Sequence, residues 1–517
     1  MQLCDYIIKL ILKQMIKIKK KIHHLVNSKE IFDDGKEIEI FNPATGQVLS
    51  TANTATDKTI KMAIENSQDA FLSWKNTSIS KRISIFFKYK ELLEKNINQI
   101  AYLISQDLGK TKSDAIGEIR RGIENVEFAC SFGSNIKGEH NKNISTSIDS
   151  WSQFEPLGVV LGITPFNFPV MVPLWMFPLA IVAGNTFILK PSEKDPISTM
   201  YIADLFYKAG LPKGVLNVLN GDKSVVKKLL NNNKIKAVSF VGSTPVAQYV
   251  YETSTQQNKR CQALGGAKNH ALVLPDADIK QTVNQLLGAA FGSSGQRCMA
   301  LSVVVAVGGI GKRLEEELKN AMLNFRVGPF EKANSDFGPL ISKDHMDKVE
   351  KLINSAEKDG SKIVVDGRNL RINEKKYHKG YFFGATLINN VKTSMQSYKE
   401  EIFGPVLQII NVNSFEEGIR LINKNQYGNG CCIFTNNGQS ARTFSDNVDI
   451  GMVGINIPLP VPAAYHSFGG WKKSFFGDLN IYGPDGLRFY TQRKTITQKW
   501  TSDDKNDIKF SMPNNLN

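Results

Sequence analysis

The chain predicts an α/β architecture of two or three domains, on three observations. Between residues 158 and 255, strand-like apolar runs at 158–163, 185–189, 215–218 and 237–241 alternate with helical patterns at 196–209, 222–231 and from 245. A second alternation of the same kind continues to about residue 460. Alternation of this type sets parallel strands side by side under covering helices and brings ligands to the carboxyl ends of the strands. The third observation is size: 517 residues exceed what one apolar core serves, while 42% hydrophobic and 22% charged content fits a soluble globular protein.

Taken in order, residues 1–22 carry Ile7, Ile8, Ile11, Leu12, Met15 and Ile16 at helical spacing among lysines. The run is too short and interrupted to span a bilayer, and its charges follow the apolar part with no small-residue cleavage site after it. It also lacks the Arg and Ser of organelle transit peptides. It reads as an extension outside the core of a cytoplasmic protein, or of a mitochondrial-matrix one if it acts as a transit peptide. Residues 24–54 read as short strands around the turns Asp33-Asp34-Gly35-Lys36 and Asn42-Pro43-Ala44-Thr45-Gly46. Helical patterns follow at 56–75, 80–106 and 110–134, with Thr56 or Asp57, and Ser78 or Ser80, placed to cap the first two. In the third, Arg120 and Arg121 ride on a helix whose other face is apolar, where a solvated or salt-bridged arginine is the ordinary outcome.

The strand at 158–163 ends in Thr164-Pro165-Phe166-Asn167-Phe168-Pro169, and the apolar run 170–183, broken by Pro173 and Pro178, reads as a buried helix. Asn167 sits between apolar neighbours, so its amide needs partners. It is either a turn asparagine or a donor aimed at a developing oxyanion. Two loops at strand ends suit a dinucleotide. In Lys190-Pro191-Ser192-Glu193 a cation and a carboxylate are placed to hold ribose hydroxyls, and Glu193 would repel a 2′-phosphate, favouring NAD over NADP. In Gly242-Ser243-Thr244-Pro245 a cap residue and a proline at the first helical position mark a helix start whose free N–H groups suit a pyrophosphate. The chain has no G-x-G-x-x-G fingerprint.

Gly292-Ser293-Ser294-Gly295-Gln296-Arg297-Cys298-Met299-Ala300-Leu301-Ser302 follows. Its glycines allow sharp turning before Cys298, the nucleophile candidate, although a lone cysteine is by default a small buried hydrophobe. An ordinary thiol, with a pKa of about 8.5, is only a few per cent thiolate at neutral pH, so a catalytic cysteine needs cationic or dipolar help. The other cysteines, Cys4, Cys130, Cys261, Cys431 and Cys432, show no pairing rhythm and no C-x-x-C, which indicates a reducing compartment. Alternation sends Cys431 and Cys432 to opposite faces of one strand. The seven histidines, including His270 and His466, show no metal-ligand spacing, so no metal is expected. A net charge of +15 without an RNA-binding aromatic signature or Arg-rich stripe argues for lysines on solvated faces, favouring encounter with polyanionic cofactors and not with nucleic acid or membrane. Residues 501–517 read as a flexible polar tail.

Together these loops resemble the aldehyde dehydrogenase superfamily. Seven segments carry the likeness in order: 42–46, 165–169, 190–193, 240–244, 264–268, 295–298 and 401–405, spanning about residues 24–500. Pro165 to Pro173, Gly266-Ala267-Lys268-Asn269-His270, Gly295-Gln296-Arg297-Cys298-Met299-Ala300 and Ser474-Phe475-Phe476-Gly477-Asp478 resemble the CoA-acylating branch, the methylmalonate-semialdehyde dehydrogenases. The resemblance implies a Rossmann-like NAD-binding domain (23–143 and 161–264), an α/β catalytic domain (265–484) and a small β oligomerisation extension (144–160 and 485–500). It also implies a homodimer or homotetramer. It makes Cys298 the nucleophile and Asn167, with the Cys298 backbone N–H, the oxyanion site. Thr164, Phe166, Lys190, Glu193, Lys194, Ser243, Gly265 and Glu401 would line NAD, and Arg121 (or its neighbour Arg120) and Arg297 would hold the substrate carboxylate.

The implied reaction is NAD-dependent oxidation of methylmalonate or malonate semialdehyde, products of valine, β-alanine or inositol breakdown, through a Cys298 thioester. Decarboxylation and transfer to coenzyme A give propionyl-CoA or acetyl-CoA. Hydrolytic members carry a glutamate that activates water where this chain has Ala263 or Leu264, neither of which takes a proton. The alternatives are a hydrolytic aldehyde dehydrogenase releasing a free acid and a non-catalytic binding protein on the same fold.

Overall fold

A computed structural model describes residues 17–500; the expectations for residues 1–16 and for the 501–517 tail lie outside the described residues. The predicted extension ends sooner than expected. Lys21–Ile22 pairs in parallel with Gln47–Asn53, and Ile22 is buried. Two residues of strand carry no readable alternation, so only the pairing shows it.

The first sheet has eight strands. Its five central strands, Arg260–Leu264, Ile235–Val241, Val159–Ile163, Thr186–Lys190 and Leu216–Val218, are parallel neighbours in that order. Antiparallel short strands close it, Phe475–Phe476 at one edge and His24–Val26 with Lys29–Ile31 at the other. Val159–Ile163 and Thr186–Lys190 are buried throughout, because helices cover both faces and leave no polar side. The second sheet has seven strands, six of them parallel, in the order Lys362–Val365, Thr386–Asn389, Val406–Val412, Leu301–Val307, Asn269–Val273, Gly430–Phe434 and Met452–Ile455. Cys431 packs into the apolar cluster on one face and Cys432 into that on the other, as alternation requires.

A third, antiparallel sheet joins Thr491–Lys499, Ile148–Pro156 and His140–Ser145. It differs from the expected extension at both ends. Val159 and Val160 belong to the eight-stranded sheet, and Gly483–Phe489 is helical before the last strand begins. Helical and strand signals abut there with only Tyr490 between them.

Thr56 and Ser78 cap their helices, accepting from the Thr59 and Lys81 N–H groups. The pattern at 80–106 is two helices, Ile79–Lys95 and Ile97–Asp107, divided at Asn96. Met171–Val182 is buried at all twelve positions, with Pro173 in its first turn, where a missing N–H costs little. Val170 offers this helix no side-chain cap. Glu118, from the helix Lys112–Cys130, supplies one: its Oε1 accepts from the Val170 and Met171 N–H groups at 2.9 and 3.1 Å. Its Oε2 accepts from Lys110 Nζ at 2.6 Å, and that ammonium lies 3.8 Å from the centre of the Phe168 ring. No helix among the described residues is long and apolar enough to cross a membrane.

Both members of the Lys110–Glu118 pair are buried, so removing one charge strands the other. Glu118→Gln is expected to lower stability by about 3–5 kcal/mol, and the Lys110→Met/Glu118→Gln double variant by less than the sum of the singles. Chemical denaturation followed by tryptophan fluorescence measures both.

Candidate active site

The helix Ile279–Phe291 runs into a tight turn, Gly292–Gly295, in which Ser293, Ser294 and Gly295 have φ of 55°, 56° and 70°. Left-handed backbone at two successive serines is costly and persists only when surroundings impose it. Here the Ser294 hydroxyl donates to the Gly338 carbonyl at 2.7 Å, and a Cβ at residue 295 would lie 2.2 Å from the Gly404 oxygen. Beyond the turn, the Cys298 carbonyl accepts from the side-chain amides of Asn269 (2.9 Å) and Asn429 (3.0 Å). Asn167 Nδ2 donates one N–H to the Gln296 carbonyl at 3.0 Å, tying the 164–169 loop to the nucleophile segment and leaving its second N–H for a ligand.

Burial pushes the Cys298 thiol up to about 12, and the Glu401 charge adds to the rise; the Met299 and Cys298 N–H groups and Arg297 pull the other way. Glu401 is itself pushed up to about 7 by burial, against the pull of the Ala267 N–H, which donates to Oε1 at 3.0 Å, and of Lys268. A Cβ at residue 266 would lie 2.6 Å from Glu401 Oε2, so Gly266 is what admits this carboxylate. Burial lowers Lys268 to about 7, and its ammonium donates to the Ser397 and Glu400 carbonyls at 2.6 and 2.7 Å, fixing the loop that carries Glu401.

Seven of the eight predicted dinucleotide residues lie at or follow the carboxyl ends of first-sheet strands, and Glu401 lies in the loop before Val406–Val412 of the second. Thr164 follows Val159–Ile163, and its Oγ1 is buried without a hydrogen-bond partner. Lys190 ends Thr186–Lys190 and forms a 2.9 Å ion pair with Glu193. Burial would raise the Glu193 carboxyl, but Lys190 outweighs it and holds it low. Lys194 lies 5.3 Å from the centre of the Phe166 ring. Ser243 is the N-cap of Thr244–Thr255 but makes no side-chain cap hydrogen bond, leaving the start of that helix open. A Cβ at Gly265 would lie 2.7 Å from the Lys473 carbonyl oxygen. An orphaned hydroxyl, an open helix start and a cation–carboxylate pair together match the ribose hydroxyls and pyrophosphate of a dinucleotide.

Of the two candidate arginines on Lys112–Cys130, Arg120 is exposed and Arg121 turns inward, donating through Nη2 to the Pro462 carbonyl at 2.5 Å and through Nη1 to Glu124 at 2.6 Å. Arg297 pairs with Asp114. Tyr482 links the two regions: burial raises its hydroxyl, which feels both the Arg121 and the Cys298 charges and donates to the Pro462 carbonyl at 3.0 Å. With Trp175 and Phe468 it forms an aromatic wall, ring centres 4.8 to 5.5 Å apart. Where hydrolytic members have their glutamate, Leu264 belongs to the apolar cluster against which Cys298 packs, and Ala263 to the cluster on the other face of the sheet.

Sequence reading missed Asp114, Tyr482, Asn269, Asn429 and His345. His345 donates through Nε2 to the Phe403 carbonyl at 2.7 Å and packs edge-on to the Phe166 and Phe403 rings. Asn269 lies within the 266–270 segment that carries the family likeness but is given no role there; the other four carry no local signal. Those four come to the site from remote segments by folding alone. Among the described residues, no group of three or more His, Cys, Asp or Glu side chains is arranged to hold a metal ion.

The model of the aldehyde dehydrogenase family matches residues 31–496. The chain belongs to that family. This aldehyde dehydrogenase is 52% identical over 480 residues to the malonate-semialdehyde dehydrogenase of Pseudomonas aeruginosa, covering 93% of this chain and 96% of that one. The structure of methylmalonate-semialdehyde dehydrogenase from Oceanimonas doudoroffii superposes with a TM-score of 0.92 at 56% identity, covering 94% of this chain and 99% of the other. A Sinorhizobium meliloti structure described as a methylmalonate-semialdehyde dehydrogenase, complexed with NAD, superposes with a TM-score of 0.93 at 45% identity, covering 95% of this chain and all of that one.

The raised thiol gives the free aldehyde dehydrogenase a defined reactivity. Below its pKa the thiolate fraction, and with it the iodoacetamide alkylation rate of Cys298, should climb roughly tenfold per pH unit from pH 7 to 10, with no plateau near 8.5. Glu401→Gln removes a charge that disfavours the thiolate, so the thiol pKa falls. Alkylation at pH 8 should then rise by about threefold to tenfold. Peptide mapping of the Cys298 peptide reads both.

Proposed function

We propose that this aldehyde dehydrogenase oxidises malonate semialdehyde, and methylmalonate semialdehyde as its methyl homologue, with NAD as oxidant and coenzyme A as acyl acceptor, releasing acetyl-CoA or propionyl-CoA and the lost carboxyl as CO2 or bicarbonate. The observation that carries the proposal is that only alanine or leucine stands where a water-activating carboxylate would serve the cysteine; Arg121, turned to the Pro462 carbonyl, and Arg297, paired with Asp114, are assigned to the substrate carboxylate. The likeness to semialdehyde dehydrogenases of both names supports it.

In this proposal Arg121 and Arg297 engage the substrate carboxylate and present the aldehyde carbon to Cys298 Sγ. As the C–S bond forms, the aldehyde oxygen gains charge, and the free N–H of Asn167 and the Cys298 backbone N–H donate to it. NAD, when bound along Thr164, Phe166, Lys190, Glu193, Lys194, Ser243, Gly265 and Glu401, supplies the acceptor for the aldehyde hydrogen and its two electrons, leaving an acyl thioester on Cys298. Cleavage of the bond to the β-carboxyl sends its electron pair toward the thioester carbonyl, where the same two donors hold the charge until the α-carbon takes a proton. The CoA thiolate then attacks the thioester carbonyl, and Cys298 leaves as thiolate.

The cofactor domain, expected over 23–143 and 161–264, is assigned residues 23–139 and 157–264, which leaves out the His140–Ser145 and Ile148–Pro156 strands, and residues 265–484 are assigned to the catalytic domain. The three-stranded sheet is assigned to pairing with a second copy in a homodimer or homotetramer, and its half-buried Ile148–Pro156 strand is consistent with further cover. Free thiols at all five described cysteines fit a cytoplasmic enzyme.

NADH formation from malonate semialdehyde, with and without CoA and with the acyl product identified, tests the proposal. Turnover that requires CoA and yields acetyl-CoA is expected, and Cys298→Ser should abolish it. Equal turnover without CoA, yielding a free acid, would overturn the acyl-transfer assignment in favour of hydrolysis.

A further inference from the structure

Each arginine assigned above to the substrate carboxylate already carries a carboxylate of the protein. Arg121 pairs with Glu124 one turn along its own helix, and both side chains are about a third exposed (33% and 36%). Arg297 pairs with Asp114, which comes from the first turn of Lys112–Cys130, and this pair is better buried (20% and 17%). Asp114 uses Oδ1 for Arg297, while its Oδ2 is buried without a hydrogen-bond partner.

The guanidinium of Arg297 is also held from the side. A Cβ at residue 292 would lie 2.5 to 2.7 Å from its Nη1, Cζ and Nη2 atoms, so the bare backbone of Gly292 packs directly against it. Asp114 engages only Nη2, which leaves Nε and Nη1 for a second carboxylate. Burial would raise the Asp114 carboxyl, but the Arg297 and Lys110 charges outweigh it and keep it ionised.

We infer that Asp114 is a positioning residue and a built-in counter-charge for Arg297, with Glu124 playing the weaker, more solvated version of that part at Arg121. The inference rests on the substrate assignment proposed above. Its physical content concerns a substrate that loses its carboxylate during the cycle. A half-buried guanidinium with no protein partner would bind the incoming carboxylate strongly and oppose its departure, because departure would strand the cation. Binding the ground state too well raises the barrier to the step that follows. With Asp114 in place the cation stays paired before, during and after decarboxylation, and the substrate carboxylate is oriented by the free edge of the fork at modest strength.

Asp114→Asn keeps a side-chain oxygen to position Arg297 and removes the charge; Asp114→Ala removes both. The readout is the dissociation constant of malonate, a stable dicarboxylate carrying the substrate's carboxylate, measured by calorimetry on the NAD-loaded enzyme at an ionic strength of about 0.05 M to limit screening. Asp114→Asn should bind malonate about threefold to tenfold more tightly than the wild type, through the uncompensated cation. In a single turnover with malonate semialdehyde its CO2 release should lag NADH formation more than in the wild type. Asp114→Ala should lose part of that gain, since Arg297 is then untethered. Unchanged or weaker malonate binding in an Asp114→Asn protein with wild-type circular dichroism overturns the inference and leaves Asp114 a structural residue. Should that variant not fold, Glu124→Gln serves instead: a smaller tightening, about twofold, supports the counter-charge, and no change overturns it. Wild-type turnover of malonate semialdehyde on the same preparation separates the two assignments. Without it the substrate reading falls; with it and an unchanged malonate constant, only the counter-charge falls.

Discussion

The buried Glu118 carboxylate is the contact on which the rest of the site depends. It closes the start of Met171–Val182 in place of a local cap, holds the Lys110 ammonium, and so fixes the exit of the loop that carries Phe166 and Asn167. A helix buried at every position cannot leave its first N–H groups to water, and a loop between Pro165 and Pro169 has few backbone donors of its own. The carboxylate therefore satisfies two donors and a cation at once, and the Thr199 hydroxyl adds a 2.5 Å bond to the Pro169 carbonyl. With that end fixed, the Asn167 amide reaches the Gln296 carbonyl and ties the loop after the first sheet's Val159–Ile163 strand to the nucleophile segment.

The second constraint is electrostatic. Cys298, Glu401 and Lys268 share a poorly solvated region, and burial moves each toward its neutral form: thiol up, carboxyl up, ammonium down. None of these shifts is a defect of packing. The same burial leaves short-range dipoles and single charges poorly screened, so each acts strongly on its neighbours. Carbonyls from 397 and 400 stand in for water around Lys268, two side-chain amides hold the Cys298 carbonyl, and the Cys298 and Met299 N–H groups favour the thiolate.

The fold was legible in the sequence where a periodic signal ran long enough. The strands and helices between 158 and 255 lie within a residue or two of their predicted limits, and Ser243 and Pro245 mark a helix start in the structure as well. Legibility failed where signals were short or abutted. Lys21–Ile22 is a two-residue strand, Asn96 divides what reads as one helix, and the helical Gly483–Phe489 runs almost directly into the last strand. The site followed the same rule. Cys298, Asn167 and the 190–193 loop stand in distinctive local text, whereas Asp114 and Tyr482 are ordinary residues on ordinary helical and loop patterns. Asp114 gains its meaning only from Arg297, which lies 183 positions away in sequence. Arg121 and Arg120 are indistinguishable in sequence because both sit at the border of the apolar face; the Val461 and Pro462 carbonyls decide between them.

The proposed acyl transfer asks the same few groups to act at both ends of the cycle. A thiol raised by burial is a scarce nucleophile when free, and its thiolate is a poor leaving group when acylated, since exchange favours departure of the lower-pKa sulfur. Whatever stabilises the Cys298 thiolate therefore speeds both its attack on the aldehyde and its expulsion by CoA. The Met299 and Cys298 N–H groups and the Arg297 charge are fixed in the structure and serve both steps. Water at the same thioester would need a base to raise its nucleophilicity, and the position from which hydrolytic members supply one is apolar here. A CoA thiol needs no such base, being already a few per cent ionised at neutral pH. The apolar residue at 264 thus favours thiolysis by what it withholds from water, with no contact to CoA required.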